Sequence, residues 1–211
     1  IMAIQADRMS RLVADLLSLS RIELNEHIPP SGLVDLSRVC GDVVDAVSVL
    51  SGDRQVDVHI AGPGQPRAAP VQGTRDEIIQ VVQNLVDNAI KYSPAGGRVE
   101  ITIRPDVSLD EVSTPWSGGS RGDGATRLPL LTPDRVPGQR YASVSVRDHG
   151  TGLAREHLPR LTERFYRVEG QKSGEKAGTG LGLAIVKHIV NRHRGGLTVE
   201  SAPGPGAMFT A

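Results

Sequence analysis

The stretch GTGLGLAIVK, Gly178 to Lys187, places three glycines within five residues directly before an apolar segment of helical spacing. Glycine is the least favourable ordinary residue in a helix interior, so these glycines serve something other than helix stability. A flexible loop before a helix leaves backbone N–H groups free, and the positive end of the helix dipole favours an anion such as phosphate. A tight turn that allows close packing explains the same residues equally well.

Two common phosphate motifs are absent from the sequence. The pattern G-x-x-x-x-G-K-[ST] occurs nowhere, and G-x-G-x-x-G fails because Leu183 stands at its third glycine. A phosphate site at this stretch would therefore consist of the loop and the helix N-terminus.

A second glycine cluster, RDHGTG, follows an alternating strand. Its Asp148 precedes Gly150 and Gly152, so a carboxylate lies at a strand end under a flexible turn. A carboxylate can accept a hydrogen bond from an exocyclic amine such as that of adenine. An ordinary Asp-capped turn would be the preferred interpretation if this carboxylate stood alone.

A predicted helix from Thr74 to Tyr92 supplies further polar groups. Asn84, Asn88 and Lys91 recur at i, i+4 and i+7, which places two amides and an ammonium on one helix face. Amide oxygen is a hard ligand suited to Mg²⁺, and the ammonium is a point charge for phosphate oxygens. With the two glycine clusters, this stripe predicts a nucleotide site.

The elements that position these residues predict an α+β fold. Helices are expected over 1–24, 35–50, 74–92 and 180–194, and strands over QVDVHI, RVEITIR, YASVSVR, LTVES and AMFTA. Without regular alternation, they indicate a two-layer α/β sandwich, a mixed sheet covered by helices. Gly195 and Gly196 are predicted to be left-handed caps of the last helix. Residues 105–140, rich in Pro, Gly and Ser, are predicted to be a mobile, structureless surface insertion.

The first helix is amphipathic, with apolar residues at heptad spacing: Met2, Met9, Leu12, Leu16 and Leu19. It either packs on its own domain or forms half of a helical hairpin or dimer interface. The chain starts inside this helix and stops within a strand-like run, so it is predicted to be a piece of a longer protein.

Composition narrows the classes of partner and compartment. Lys+Arg and Asp+Glu balance at 24 each, for a net charge of +0, so no global basic field favours nucleic acid. The single cysteine, Cys40, cannot form an internal disulfide, which suggests a reducing compartment. No apolar run approaches the ~20 residues of a membrane helix, and no signal peptide is evident, so a cytoplasmic location is expected.

Five stretches, NLVDNAIKY, DHGTG, ERFYR, GTGLGLAIVK and GPGAMF, resemble in order and approximate spacing the N, G1, F, G2 and G3 boxes of sensor histidine kinases. The ATP-binding domain of that family belongs to the gyrase, chaperone, kinase and mismatch-repair ATPase superfamily and has a Bergerat-type fold. Upstream, MSRLVADLLSLSRIE is similar to the end of the family's helical dimerisation and phosphoacceptor domain. The EHIPPSG linker and the long insertion are similar to those of alphaproteobacterial phosphate-regulon sensor kinases. The resemblance implies three parts: 1–28 from the helical domain, a linker at 29–34, and an ATP-binding catalytic domain at 35–211.

The resemblance also implies residue roles. Asn88 would hold Mg²⁺, Asn84 would be the catalytic residue beside the ion and the transferring phosphate, and Asp148 would read the adenine amine. Residues 168–177 would form a mobile lid over ATP, with Phe165 and Tyr166 as its apolar anchors. The other implied nucleotide contacts are Lys91, Tyr92, Gly150, Gly152, Arg167, Gly178, Thr179, Gly180, Leu181, Gly182 and Leu183.

The implied activity is transfer of the ATP γ-phosphate to a histidine on a separate helical domain, for later transfer to an aspartate of a response-regulator receiver domain. The full-length protein would be a homodimer anchored in the inner membrane by upstream segments. The family's phosphoacceptor box is absent, and His27 does not match it. This chain is therefore expected to bind ATP without phosphorylating itself.

Two alternatives stay open at this point. A hydrolytic or conformational ATPase of the same superfamily carries a glutamate one turn before the metal-binding asparagine, where this chain has Asn84, although Asp87 is nearby. A non-catalytic module would bind nucleotide or nothing and work by docking partners. His149 and Thr151 depart from the family's G1 pattern without removing an implied ligand.

Overall fold

The computed structural model describes residues 2–51, 56–61, 67–113, 125–134, 136–168 and 178–211. Its helices are α1 (Met2–Leu24), α2 (Leu36–Ser51), α3 (Arg75–Tyr92), α4 (Leu109–Ser113) and α5 (Gly182–Arg192), with a 3-10 helix at Arg155–Arg160. Its strands are β1 (Leu33–Asp35), β2 (Asp57–Ile60), β3 (Pro70–Gln72), β4 (Arg98–Val107), β5 (Thr126–Leu131), β6 (Tyr141–Asp148), β7 (Leu197–Ser201) and β8 (Ala207–Thr210). None of the helices in these ranges has both the length and the apolar character needed to cross a membrane.

Six strands form one mixed sheet in the order β2-β4-β6-β8-β7-β5. β2 and β4 run parallel, and the other neighbouring pairs are antiparallel. β1 and β3 form a separate antiparallel pair. Because α2, α3 and α5 pack against the large sheet, the predicted α+β sandwich is confirmed.

Alternation along the strands gives the large sheet one buried and one polar face. On β4, Val99 and Ile101 are fully buried, while Glu100 and Thr102 point to the opposite side. The apolar stripes of α3 and α5 cover the buried face with Ile78, Val82, Leu85, Ala89, Ile185 and Ile189. The same packing brings α3 against β6, the strand that ends at Asp148.

The prediction of a structureless insertion at 105–140 is wrong for three of its parts. β4 continues to Val107, α4 covers Leu109–Ser113, and β5 pairs antiparallel with β7 at the edge of the sheet. The strand β5 escaped prediction because it contains Pro129, which cannot donate to a ladder and is tolerated at an edge. Residues 114–124 and 135 lie outside the described residues, and mobility of the insertion stays a prediction.

The first helix packs on its own domain through its C-terminal half. Leu19 and Ile22 are buried in the common core, and α1 contacts α5. Met9, Val13 and Leu17 on the same helix are more than half exposed. Of the two arrangements left open by the sequence, packing on its own domain is present, and a dimer interface on the exposed side stays a prediction.

The last helix ends in a Schellman motif one residue earlier than predicted. The left-handed residue is Arg194, with φ of 56°, and neither Gly195 nor Gly196 has a positive φ. The N–H of Arg194 donates to Asn191, and that of Gly195 donates to Val190, both at 2.9 Å. The prediction of left-handed glycines is wrong because these two bonds place the turn at Arg194.

His193, at the C-terminus of α5, connects that helix to the start of α3. Its Nδ1 donates to the carbonyl of Ile189 at 2.8 Å, and its Nε2 accepts the N–H of Thr74 at 3.2 Å. Both bonds together require the neutral ring. Burial lowers the pKa of His193, although the Ile189 carbonyl and Glu77 act in the opposite sense.

Acidification should therefore destabilise this connection between α3 and α5. Below the ordinary histidine pKa of about 6.5, the unfolded chain takes up a proton that the folded ring resists. We expect the free energy of unfolding to fall between pH 7.5 and pH 5, by at most about 1.4 kcal/mol per pH unit from this group. Urea titrations of wild type and His193→Gln measure the difference.

The exposed His27 provides the matched control, as His27→Gln. The His193→Gln variant should be less stable than wild type at pH 7.5 and should lose less stability on acidification. Equal pH slopes for wild type and His193→Gln would contradict the neutral-ring assignment.

Candidate functional site

Helix α3 presents its two predicted amides beside the start of α5. Its buried apolar stripe leaves Asn84, Asn88 and Lys91 half-buried along another side. The Asn84 amide nitrogen donates to the carbonyl of Gln80 at 2.9 Å, and its oxygen lies 2.9 Å from where a Cβ on Gly182 would stand. Asn84 therefore rests on the first turn of α5. Among the described residues, the side chain of Asn88 has no hydrogen-bond partner, so its amide oxygen can serve as a ligand.

Asp148 lies at the end of β6 and is 5% exposed. One carboxylate oxygen accepts the N–H of Gly150 at 2.8 Å and the N–H of Ala207 at 3.3 Å. Burial raises the pKa of Asp148, and these two bonds act against that shift. Within the described part of the chain, no donor contacts the other carboxylate oxygen, so it can accept from a ligand.

The turn after Asp148 is packed too closely for side chains. A Cβ on Gly150 would overlap the carbonyl oxygen of Tyr92, the last residue of α3. A Cβ on Gly152, whose φ is 67°, would overlap the carbonyl oxygen of Ala202. The predicted glycines of this turn are thus required by contact with α3 on one side and with the loop before β8 on the other.

Sequence reasoning missed the residues that hold this turn from beneath. The hydroxyl of Ser201 accepts the N–H of Leu153 at 3.0 Å and donates to the carbonyl of Gly206 at 2.7 Å. Gly204 donates to the carbonyl of Thr151 at 2.8 Å. The stretch GPGAMF, which includes Gly204 and Gly206, is the only sequence signal for this contact, and Ser201 carries none.

The loop before α5 is shaped to leave the helix N-terminus free. Gly180 has φ of 76°, and its carbonyl accepts the N–H of Phe165 at 2.9 Å. The Thr179 hydroxyl accepts the N–H of Leu181 at 3.3 Å, and no side chain of the described residues caps the helix. The N–H groups of Gly182, Leu183 and the next residue have no intrahelical partner at this position. They point outward with the positive end of the helix dipole.

Lys91 and Tyr92 lie between the two glycine loops. The Lys91 ammonium is 4.8 Å from the centre of the Tyr92 ring, and a Cβ on Gly178 would come within 3.1 Å of it. Tyr92 is 36% exposed, so one side of its ring can face a ligand. Arg167 is exposed after the 3-10 helix segment. The structure therefore brings Lys91 to the second glycine loop, and its contact with a phosphate stays a prediction.

Phe165 and Tyr166 differ in their surroundings. Phe165 has φ of 64° and is 53% exposed, so its side chain lies at the surface. Its backbone, through the bond to Gly180, positions the second glycine loop. Tyr166 is half-buried; its hydroxyl contacts Nδ1 of His157 at 2.8 Å, and Arg160 lies 4.2 Å over its ring.

The predicted lid, 168–177, lies outside the described residues except for Val168. The remaining parts converge on α3. Its C-terminal end touches the turn that carries Asp148, Lys91 touches the loop at Gly178, and Asn84 touches Gly182. Helix α3 thus carries two amides and an ammonium between a buried carboxylate at one end and the uncapped N-terminus of α5 at the other. This arrangement can receive a base at the carboxylate and phosphates at the helix N-terminus.

Comparison with protein families gives a match over residues 73–211 to the model described as histidine kinase-, DNA gyrase B-, and HSP90-like ATPase. This range includes both glycine loops and the whole of α3.

Individual relatives extend the similarity to α1. The chain is 35% identical over 207 residues to the phosphate regulon sensor protein PhoR of Pseudomonas aeruginosa, covering 98% of this chain and 39% of that protein. It is 30% identical to the sensor-like histidine kinase SenX3 of Mycolicibacterium smegmatis, covering 99% and 45%. The solved structure of the Acinetobacter baumannii histidine kinase AdeS matches with a TM-score of 0.64 and 25% identity, covering 98% of this chain and 78% of that one. The chain spans about two fifths of the length of these two curated relatives.

Proposed function

We propose that this chain, a member of the histidine kinase-, DNA gyrase B-, and HSP90-like ATPase family, is the ATP-binding part of a two-component sensor histidine kinase. Its task would be to present the γ-phosphate of ATP to a histidine on a separate helical domain. A phosphate-regulon type fits the relatives that it resembles, one of which is named a phosphate regulon sensor.

The observation that carries this proposal is the contact of α3 with both glycine loops. Tyr92 touches the turn after Asp148, and Asn84 touches the first turn of α5. Tyr92 is eight residue steps beyond Asn84 on the helix, which corresponds to about 12 Å along the axis. This is comparable to the reach of an extended nucleoside triphosphate from base to terminal phosphate, so Asp148 can accept from adenine while α5 receives the phosphates.

The residues present fit Mg²⁺ as well as the nucleotide. Asn88 has a free amide oxygen one turn along α3 from Asn84, which touches the start of α5. Mg²⁺ is typically held by few protein oxygens together with phosphates and waters. Within the described ranges, no group of three His, Cys, Asp or Glu side chains could hold a metal ion. Bound there, Mg²⁺ would neutralise charge on the phosphates during transfer.

Transfer to a protein histidine is favoured over hydrolysis by the chemistry at position 84. Activation of water needs a general base, and the amide of Asn84 cannot act as one. Its nitrogen is held by Gln80, which directs its oxygen to Gly182. Asp87, the acidic residue closest in sequence, is exposed on α3. Phosphoryl transfer asks mainly for positioning and charge stabilisation, which this arrangement can supply.

The partners follow from this proposal. A helical domain, in the same or a partner protomer of a homodimer, would supply the acceptor histidine. The receiver domain of a response regulator would then take the phosphate. A cytoplasmic location, with an anchor in the inner membrane elsewhere in the protein, suits these partners.

Calorimetry with a non-hydrolysable ATP analogue, with and without Mg²⁺, tests the proposal. We expect the chain to bind, and Mg²⁺ to tighten binding by about tenfold in wild type but not in Asn88→Ala, since the amide ligand is lost. The matched control is Gln83→Ala, which removes an exposed amide from the same helix. Incubation with labelled ATP should leave no phosphate on the protein.

Two results would favour the alternatives. Failure of wild type to bind the analogue would support a docking module without nucleotide. Steady release of phosphate from ATP, abolished in Asn88→Ala, would support a hydrolytic ATPase.

A further inference from the structure

An acidic residue of α1 contacts the loop that feeds α5. The Thr179 hydroxyl donates to the Asp15 carboxylate at 2.6 Å, in addition to accepting the N–H of Leu181. Thr179 is one of the residues expected to hold phosphate, so a carboxylate from another element lies at the edge of the anion-binding loop.

The contact of Asp15 is part of a continuous interface and not a single side-chain encounter. Ser18, almost one turn further along α1, exchanges hydrogen bonds with Gln80 of α3 at 2.9 and 3.1 Å. Gln80 is also the residue whose carbonyl holds the Asn84 amide. Leu19 on the same helix is buried in the common core. The position of Asp15 is therefore fixed relative to α3 as well as to the loop.

Ion pairs hold the far end of the same interface. Glu23 pairs with Arg164 and lies 3.3 Å from Nε2 of His188, and Glu26 lies 3.2 Å from Nδ1 of that histidine and accepts from Asn191. Glu23 on α1 and Glu26 just after it thus hold the C-terminal end of α1 to α5 and to the segment before the second glycine loop.

We infer that Asp15 is an electrostatic antagonist of the bound triphosphate, so that docking of α1 and binding of ATP oppose each other. This inference rests on the proposed function. The free N–H groups at the start of α5 attract the phosphates, and the fixed negative charge of Asp15 at the same loop repels them. By linkage, a nucleotide whose affinity is lowered by docked α1 lowers the affinity of α1 for its docking surface by the same factor. ATP binding then loosens α1.

The repulsion should grow with the charge on the ligand. Asp15→Asn keeps an oxygen that can accept from Thr179 but removes the charge. We expect it to tighten binding of the ATP analogue by about fivefold and that of ADP by less, with adenosine unaffected. Calorimetry at 50 mM and 500 mM salt should show that the gain in affinity of Asp15→Asn becomes smaller at high salt. Salt screens an interaction between charges, whereas it would not change a steric effect.

Two variants separate the charge at the loop from general loosening of α1. Asp15→Glu retains the charge and should bind the analogue like wild type. Glu23→Gln removes an ion pair that docks α1 and leaves the charge at the loop in place. By linkage it should raise the affinity for the triphosphate, but by less than Asp15→Asn does. Hydrogen exchange at residues 19–24 should rise when the analogue is added to wild type and rise less in Asp15→Asn.

The outcomes also separate this inference from the proposed function. No binding of the analogue to wild type would defeat the proposed function. Binding to wild type with equal or weaker affinity in Asp15→Asn, or a gain that is the same for adenosine and triphosphate, would overturn the antagonist role alone. A gain in Glu23→Gln as large as that in Asp15→Asn would mean that loosening of α1 alone accounts for the effect, and would overturn the role of the Asp15 charge.

Discussion

Replacing Asp148 with asparagine is expected to weaken binding of the ATP analogue by about 100-fold, because a buried charge-assisted hydrogen bond to the base is lost. The new amide nitrogen would also face the adenine amine, so that two donors meet. GTP, which offers an oxygen at that position of the base, should lose less affinity or gain some. Calorimetric titration of both nucleotide types into wild type and Asp148→Asn measures the change in preference.

The same substitution should not destabilise the fold at pH 7. Burial raises the folded pKa of Asp148 above its unfolded value, so the favourable contribution of this group is present at acidic pH and is lost as pH rises through the folded pKa. At pH 7 the ionised, buried carboxylate therefore costs stability. The asparagine oxygen can still accept from Gly150 and Ala207, so the variant should unfold at an equal or higher urea concentration. Such a loss of function with gained stability is typical of binding residues.

Glu100→Gln gives the matched control for Asp148→Asn. Glu100 lies on the polar face of the sheet, on β4, directly across from Arg147 of β6, the neighbour of Asp148. The control therefore removes one negative charge from the adjacent strand, on the opposite face of the sheet from Asp148. It should bind both nucleotides like wild type. If Asp148→Asn weakens ATP and GTP equally, the carboxylate does not read the base.

The sequence predicts the residues of the candidate site far more completely than the distant residues and strands that hold them in place. Glycine spacing and the helical stripe of Asn84, Asn88 and Lys91 are local patterns, and the contacts of α3 with both glycine loops agree with them. Each of these features depends on residues close in sequence, which makes them visible without a structure. The order of strands in the sheet, by contrast, depends on pairing between distant segments.

The features that the sequence does not reveal also depend on contacts between distant segments or on hydrogen bonds without a sequence pattern. Asp15 meets Thr179 across 164 residues, and Ser201 holds the turn after Asp148 through one hydroxyl, so neither has a local pattern. Strand β5 contains a proline that hides it in the sequence, and it is held by distant elements: its partner β7, α5 and the 3-10 helix. Arg194 adopts a left-handed conformation although glycines follow it, because the hydrogen bonds of the helix end select the position.

The tightest packing in the site predicts the largest loss of stability. Gly152→Ala would place a methyl group on the carbonyl oxygen of Ala202 and 3.1 Å from the carbonyl oxygen of Gly206. Backbone atoms cannot move aside as the end of a flexible side chain can. The positive φ adds strain of about 1 kcal/mol. We expect a total loss of about 4 kcal/mol or more in the free energy of unfolding, measured by urea titration.

Gly96→Ala isolates the part of this loss that is due to conformation. Gly96 has φ of 74°, close to the 67° of Gly152, and no described atom lies within 4 Å of its would-be Cβ. The control should therefore lose only about 1 kcal/mol, and the difference between the two variants measures the clash. If Gly152→Ala were too unstable to purify while Gly96→Ala folded, the order would still hold. Equal losses in both variants would mean that the two loops separate at little cost. The contact between the turn after Asp148 and the loop before β8 would then be a movable part of the nucleotide site and not a fixed one.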